Sequence, residues 1–383
     1  MGAGRVDNDR GLVYAYRVSA TDGFGFGVPL VTPTDHHGRV DLAATRRLWE
    51  HLLPQLDVAV VLGTTGRGRF IVNEEPAEAR RLVDLGVELC RRHGKPLVIG
   101  TGAETVERAK DITRYAAESG VYAVLVTPPV FAASPFARTL GHNPLAPGYQ
   151  DRLLREYFIP VLDAVPRGST TRFLPYVIPT FTDADPRAFL RPEILERLWE
   201  RAAGSGRTLD GGKLTLRDDT VALDYSEKCH ELSFQAGMDS TVQAFLGNPR
   251  MHFSGAILGS GNLIAKTLKT HVADCLRLRE AIRANTAEAS HLVRVTLSRQ
   301  NQVSALFNDL WDSGLFGPLI HGFLGIGSPY HAAPAAASEL AEWARVIGTD
   351  APALVDEIAS YCPESPLSRE ARAAAEKAYA ARG

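Results

Sequence analysis

The sequence predicts a (β/α)8 TIM barrel with a C-terminal helical extension, and three observations carry that expectation. Short apolar runs alternate with amphipathic helical periods about eight times between residues 24 and 262. The runs are apolar on both faces, the texture of a parallel sheet covered by helices. The rival, a doubly wound open sheet, lacks its usual signs: no GxGxxG follows the first run and no Walker loop occurs.

The strand runs, in order, are FGFGVPLVTP, VAVVLGTTG, KPLVIGTG, YAVLVTPP, RFLPYVIPTF, TLDGGKL, LSFQAG and SGAILGSG. Six of the eight end in Gly or Pro, residues that stop a strand and open a loop. Four intervening stretches, LAATRRLWEHLLPQL, PAEARRLVDLGVELCRRHG, TVERAKDITRYAAESG and PEILERLWERAAG, place apolar residues at i, i+3 and i+4. The first follows Asp41, a good N-cap, and CRRHG and AAESG close on glycine. The weakest unit is TVALDYSEKCHEL, which is short and mixed in period. The organisation expected is therefore an N-terminal segment at 1–24, a barrel at 25–262 and helices at 263–383. An insert at 131–148, FAASPFARTLGHNPLAPG, is too long for an ordinary βα loop and would cover the C-terminal face of the barrel.

Composition narrows the function. The 45% apolar content supports a buried core, and the net charge of -2 points away from nucleic acid and anionic membranes. MGAGRVDNDRG has no apolar signal core, and no run approaches the ~18 residues of a membrane span. The expected location is cytoplasmic. Cys90, Cys229, Cys275 and Cys362 form no CxxC pair and read as buried thiols. His36-His37 in TPTDHHG would be the candidate metal ligands, but no metal is expected.

Two stretches carry the chemistry. In TLDGGKLTLRDD, Lys213 sits on the sixth strand, in a chain with seven lysines among 42 basic residues. Arginine cannot lose its proton in a protein, whereas desolvation disfavours an ammonium, and a neutral amine attacks keto groups. The alternative is a loop-tip lysine paired with Asp210 or Asp218. LGTTGRG is the second stretch: Thr64, Thr65 and Gly66 form a turn whose hydroxyls and amides suit a carboxylate or phosphate. It is otherwise a polar βα turn.

Taken together and in order, these motifs resemble the dihydrodipicolinate synthase / N-acetylneuraminate lyase family of Schiff-base aldolases. The likeness runs through PLVTPTDHHGRVD, VVLGTTGRGRFIVNEE, PLVIGTGAET, YAVLVTPP, LPYVIP, the Lys213 strand and SGAILGSGN. It implies a barrel enzyme, commonly a homo-oligomer (dimer or tetramer), acting on pyruvate or another 2-oxo acid, with an aldehyde as second reactant. It implies no metal or organic cofactor. Lys213 would form the imine, Thr64 and Thr65 would hold the carboxylate, and Thr64 would join the hydroxyl relay. Gly237 and Ile257 would line the pocket.

The chain also departs from that pattern. After strand four it reads VTPPVF, so Val130 stands where the family has a catalytic tyrosine, with Phe131 beside it. Arg67 replaces a glutamate, Val177 an asparagine, and Phe181 falls near the place of a substrate-binding arginine. Standard lysine-biosynthesis chemistry is therefore not expected, and a non-standard substrate is. Acid–base candidates are Tyr176, His142, Arg138 and Tyr149; Arg67 could meet a second substrate carboxylate or lie in solvent. The principal expectation is a lyase or aldolase working through a lysine imine. Its alternatives are a dehydratase of a sugar-derived 2-oxo acid and a catalytically inactive barrel that binds a keto acid. The intact lysine and unbroken Gly-Thr-Thr-Gly favour an enzyme.

Overall fold

The computed structural model describes residues 24–35, 37–129, 147–178, 190–312, 316–325 and 337–381. Eight strands close into one parallel barrel in sequential order. They are β1 (Gly25–Pro29), β2 (Val58–Val61), β3 (Leu97–Gly100), β4 (Ala123–Val126), β5 (Arg172–Val177), β6 (Gly211–Leu214), β7 (Ser233–Ala236) and β8 (Phe253–Ile257). Pairing of Gly27 with both Val58 and Ile257 closes the ring.

Around the ring run α1 (Leu42–Leu52), α2 (Gly68–Glu74), α3 (Pro76–His93) and α4 (Val106–Glu118). Next come α5 (Tyr149–Leu153), α6 (Ile159–Asp163), α7 (Pro192–Gly204), α8 (Asp219–Lys228) and α9 (Val242–Leu246). The extension comprises α10 (Gly261–Arg283), α11 (Glu288–Asp312), α12 (Phe316–Phe323), α13 (Ala337–Asp350), α14 (Val355–Ile358) and α15 (Pro366–Ala380).

Local chemistry explains the helix starts. The Asp41 carboxylate accepts the Ala44 N–H at 2.9 Å and opens α1. Asp218 does the same for α8, accepting Thr220 N–H at 2.8 Å. That cap rescues the segment whose period was weakest. Among the pieces with no counterpart in the sequence reading are α2 and a π turn at Leu154–Phe158 between α5 and α6. The π turn delivers the buried Tyr157 hydroxyl to the ends of β3 and β4. There it accepts the Ala103 N–H at 3.1 Å and donates to the Thr127 carbonyl at 3.0 Å.

Strand alternation divides the core into two layers. Val58, Val60, Val98, Leu125, Leu174, Tyr176 and Ile257 point into the barrel. Ala59, Val61, Ile99, Val126, Phe173 and Leu214 point outward against the helices. Burying a side chain of this size contributes about 1.5–3 kcal/mol. At the C-terminal end, Asn262 joins β1 to β8: Oδ1 accepts Val31 N–H at 3.0 Å, and Nδ2 donates to Pro29 O at 3.1 Å and Gly259 O at 2.9 Å.

Candidate functional site

Lys213 is the pivot. In GGKL the alternation turns Gly211 and Lys213 inward while Leu214 faces the helices. Its side chain is 5% exposed. Across the ladder its Cα neighbours are Tyr176 on β5 and Gln235 on β7. The ammonium nitrogen lies 4.5 Å from the centre of the Tyr176 ring, over its face. Such a contact supports a desolvated cation by about 2 kcal/mol.

The Tyr176 hydroxyl is 2.9 Å from Thr215 Oγ1. Thr215 stands two residues beyond Lys213, in the same inward phase. Gly237 closes the group from β7. A Cβ there would come 2.0 Å from Thr215 Oγ1 and 2.6 Å from Lys213 Cε, so no other residue fits without displacing the lysine. Amine, phenol and hydroxyl thus meet within one small volume of the barrel.

The loop-tip alternative for Lys213 is overturned. Asp210 pairs with Arg172 at 2.6 Å, and Asp218 is the cap of α8. Lys213 sits on neither, because its strand phase aims it into the barrel.

Asp239, just past β7, is fully enclosed. Burial holds its carboxyl above the ordinary carboxylate range, against the opposing pulls of the Ser260 hydroxyl and the Lys213 charge. Ser260 Oγ donates to its Oδ1 from the loop after β8.

The turn after β2 is wound tightly. Leu62 and Arg67 both adopt left-handed φ values, 57° and 62°, which is costly for residues with a Cβ. The Gly66 and Gly68 amides donate to Gly63 O, each at 3.0 Å. Gly66 is obligatory, since a Cβ would lie 2.2 Å from Leu30 O. Its amide is therefore committed inside the turn. An anion would meet Thr64, which is exposed, and Thr65, which is half-buried.

Arg67 is not a surface arginine. It is 3% exposed, lies 4.7 Å from the Phe70 ring centre, and donates from Nη1 to Gly38 O at 3.1 Å. It ties the loop after β2 to the loop after β1. Ile257 is buried in the same interior layer as Tyr176. Tyr149 is buried at the start of α5, and burial pushes its phenol up. Val130, Phe131, Arg138, His142, Phe181 and His36 lie outside the described residues. His37 is exposed. Among the described residues no group of three His, Cys, Asp or Glu side chains comes together as a metal site.

Sequence reasoning passed over Thr215, Asp239, Ser260 and Gln300. Thr215 had a usable signal, its i+2 spacing from Lys213. Asp239 and Ser260 are polar residues just past strand ends, where barrel sites gather. Gln300 lies far off on α11 and carried no local signal.

The architecture and the inward lysine define the class: a parallel (β/α)8 barrel with an amine presented near the C-terminal ends of its strands. Residues 24–142 match the dihydrodipicolinate synthetase family. The 4-hydroxy-tetrahydrodipicolinate synthase of Nitrosococcus oceani is 31% identical over 226 residues, covering 58% of this chain and 66% of that protein. That of Coxiella burnetii (strain Dugway 5J108-111) is 30% identical over 173 residues, covering 45% of this chain. In that match the chain spans 50% of the relative's length. Among solved structures, the fold is similar to that of YagE, a prophage protein of the dihydrodipicolinic acid synthase family from E. coli K12, with TM-score 0.63 and 19% identity over 85% of this chain and 98% of that one. The chain belongs to the dihydrodipicolinate synthetase family.

Proposed function

We propose that the protein is a Schiff-base lyase or aldolase acting on pyruvate or a related 2-oxo acid. One observation carries this reading: a buried lysine over the Tyr176 ring, whose hydroxyl is bonded to Thr215, with Gly237 clearing space beside it. A buried lysine is costly as a structural element, and useful as a nucleophile. The solved relative from E. coli K12 is in complex with pyruvate, which supports this substrate class.

In this reading the Lys213 amine adds to the keto carbon and water leaves, giving an imine. The protonated imine accepts the electron pair of the bond between its α-carbon and the next, hydroxyl-bearing carbon as that bond breaks, leaving an enamine and an aldehyde. The substrate hydroxyl proton passes to a base as the aldehyde forms. Condensation runs the same steps in reverse. Tyr176 takes the proton-transfer role, with Thr215 holding its hydroxyl; the Val130 position supplies no proton-transfer group. Thr64 and Thr65 take the carboxylate.

The test is a trap. Protein incubated with pyruvate and borohydride is expected to carry one reduced adduct on Lys213, and Lys213→Ala none. No adduct with pyruvate or with larger 2-oxo acids would refute imine chemistry and leave a barrel that binds without reacting.

A further inference from the structure

The Gln300 amide has all its hydrogen-bonding directions engaged, and its partners span three separate elements. From α11 it donates through Nε2 to the Asp239 carbonyl at 2.8 Å and to Ser304 Oγ at 3.0 Å. Its Oε1 accepts the Gln243 N–H at 2.9 Å and lies 3.1 Å from His271 Nε2 on α10. Two donors and two acceptor sites are what a glutamine has, so nothing is left over. Gln300 is 6% exposed.

The position of these bonds matters. α9 has no side-chain cap of its own at Thr241, so the N–H of Gln243 in its first turn would be an orphan. Gln300 supplies the missing cap from 57 residues away. The same side chain holds the Asp239 carbonyl. Between them, these bonds hold the start of the turn Asp239–Thr241 and the first turn of α9 that follows it. That turn continues directly from Gly237, whose backbone lies against Lys213 Cε and Thr215. On its other side, Ser260 holds the Asp239 carboxyl.

We infer that Gln300 is a positioning residue: through it the helical extension holds the Gly237–Gln243 segment as the wall that confines Lys213. The extension is then part of the site's machinery, acting through a segment that itself touches the lysine. The consequence for turnover rests on the Schiff-base reading; the clamp itself does not.

The experiment separates the two. Gln300→Met keeps the length and removes every hydrogen bond of the amide. Leu292→Ala loosens α11 against Leu278 and Ala281 of α10 without touching the clamp. Both variants and the unaltered protein are reductively methylated with formaldehyde and cyanoborohydride, and Lys213 is compared by peptide mass with the exposed Lys228. The Lys213-to-Lys228 ratio is expected to rise roughly threefold or more in Gln300→Met, as the wall opens locally, and to stay level in Leu292→Ala. An unchanged ratio in Gln300→Met, or an equal rise in Leu292→Ala, overturns the clamp. Hydrogen exchange on the unaltered protein adds a check that needs no variant: the Gln243 amide should exchange as slowly as strand amides, and fast exchange there also overturns it. Pyruvate trapping is run beside these. A clamp of this kind makes the pyruvate adduct fall in Gln300→Met while methylation rises. If the unaltered protein traps no 2-oxo acid at all, the Schiff-base reading fails, and methylation and exchange still decide the clamp.

Discussion

Replacing Gly237 with alanine adds one methyl group against Lys213. The new Cβ would lie 2.0 Å from Thr215 Oγ1 and 2.6 Å from Lys213 Cε. Ordinary contact needs about 3.4 Å, so the hydroxyl must retreat by about 1.4 Å and the lysine by about 0.8 Å. Neither has open space behind it, since Thr215 is bonded to Tyr176 and the lysine stem is buried. Overpacking of this size costs about 1–3 kcal/mol, which a barrel of this length survives. The chemistry suffers more. A misplacement near 1 Å lowers a rate by about 100-fold, because the attacking atom leaves its approach line. Gly237→Ala should therefore melt a few degrees lower with an unchanged circular dichroism spectrum, while borohydride trapping on Lys213 slows by about 100-fold. Trapping at the normal rate in a folded Gly237→Ala protein would refute the claim that this glycine confines the lysine.

Tyr176→Phe keeps the ring over Lys213 and removes only the hydroxyl that meets Thr215. Stability should fall by about 1 kcal/mol, and turnover of the bound 2-oxo acid by about 100-fold or more, measured by aldehyde release or uptake. A third prediction concerns acid. Burial holds the His271 imidazole down at about 4, with the Gln300 hydrogen bond opposing and Arg299 reinforcing. Unfolded, it titrates near 6.5, so between these values the unfolded chain binds the extra proton. Stability from this residue is present above about pH 6.5 and is lost as pH falls toward about 4, by on the order of 3 kcal/mol. Urea midpoints at about pH 7 and about pH 4.5 should differ more in the unaltered protein than in His271→Gln. Equal differences would show that His271 is not the titrating group.

Much of the barrel was legible because its determinants are local. The eight apolar runs fall where the strands lie, and the amphipathic periods fall on α1, α3, α4 and α7. The segment at 219–228 read poorly because its apolar residues are few; a cap at Asp218 and packing against α7 decide it. The π turn and α2 escaped notice because neither has a period or a cap of its own to display. Lys213 was visible as an unusual cation on an inward strand position. The fates of Asp210 and Asp218 were not, since pairing with Arg172 requires β5 beside β6.

The sequence by itself therefore determined the sheet, its helices and the type of group at its centre, because alternation and periodicity are properties of short stretches. Tertiary structure alone decided what surrounds that group. Tyr176 and Thr215 come from adjacent strands, and Gly237 from the next. Gln300 reaches the Asp239 segment from a helix 61 residues further on. Barrel closure brings such residues within hydrogen-bonding distance, and no local pattern in the chain encodes that distance.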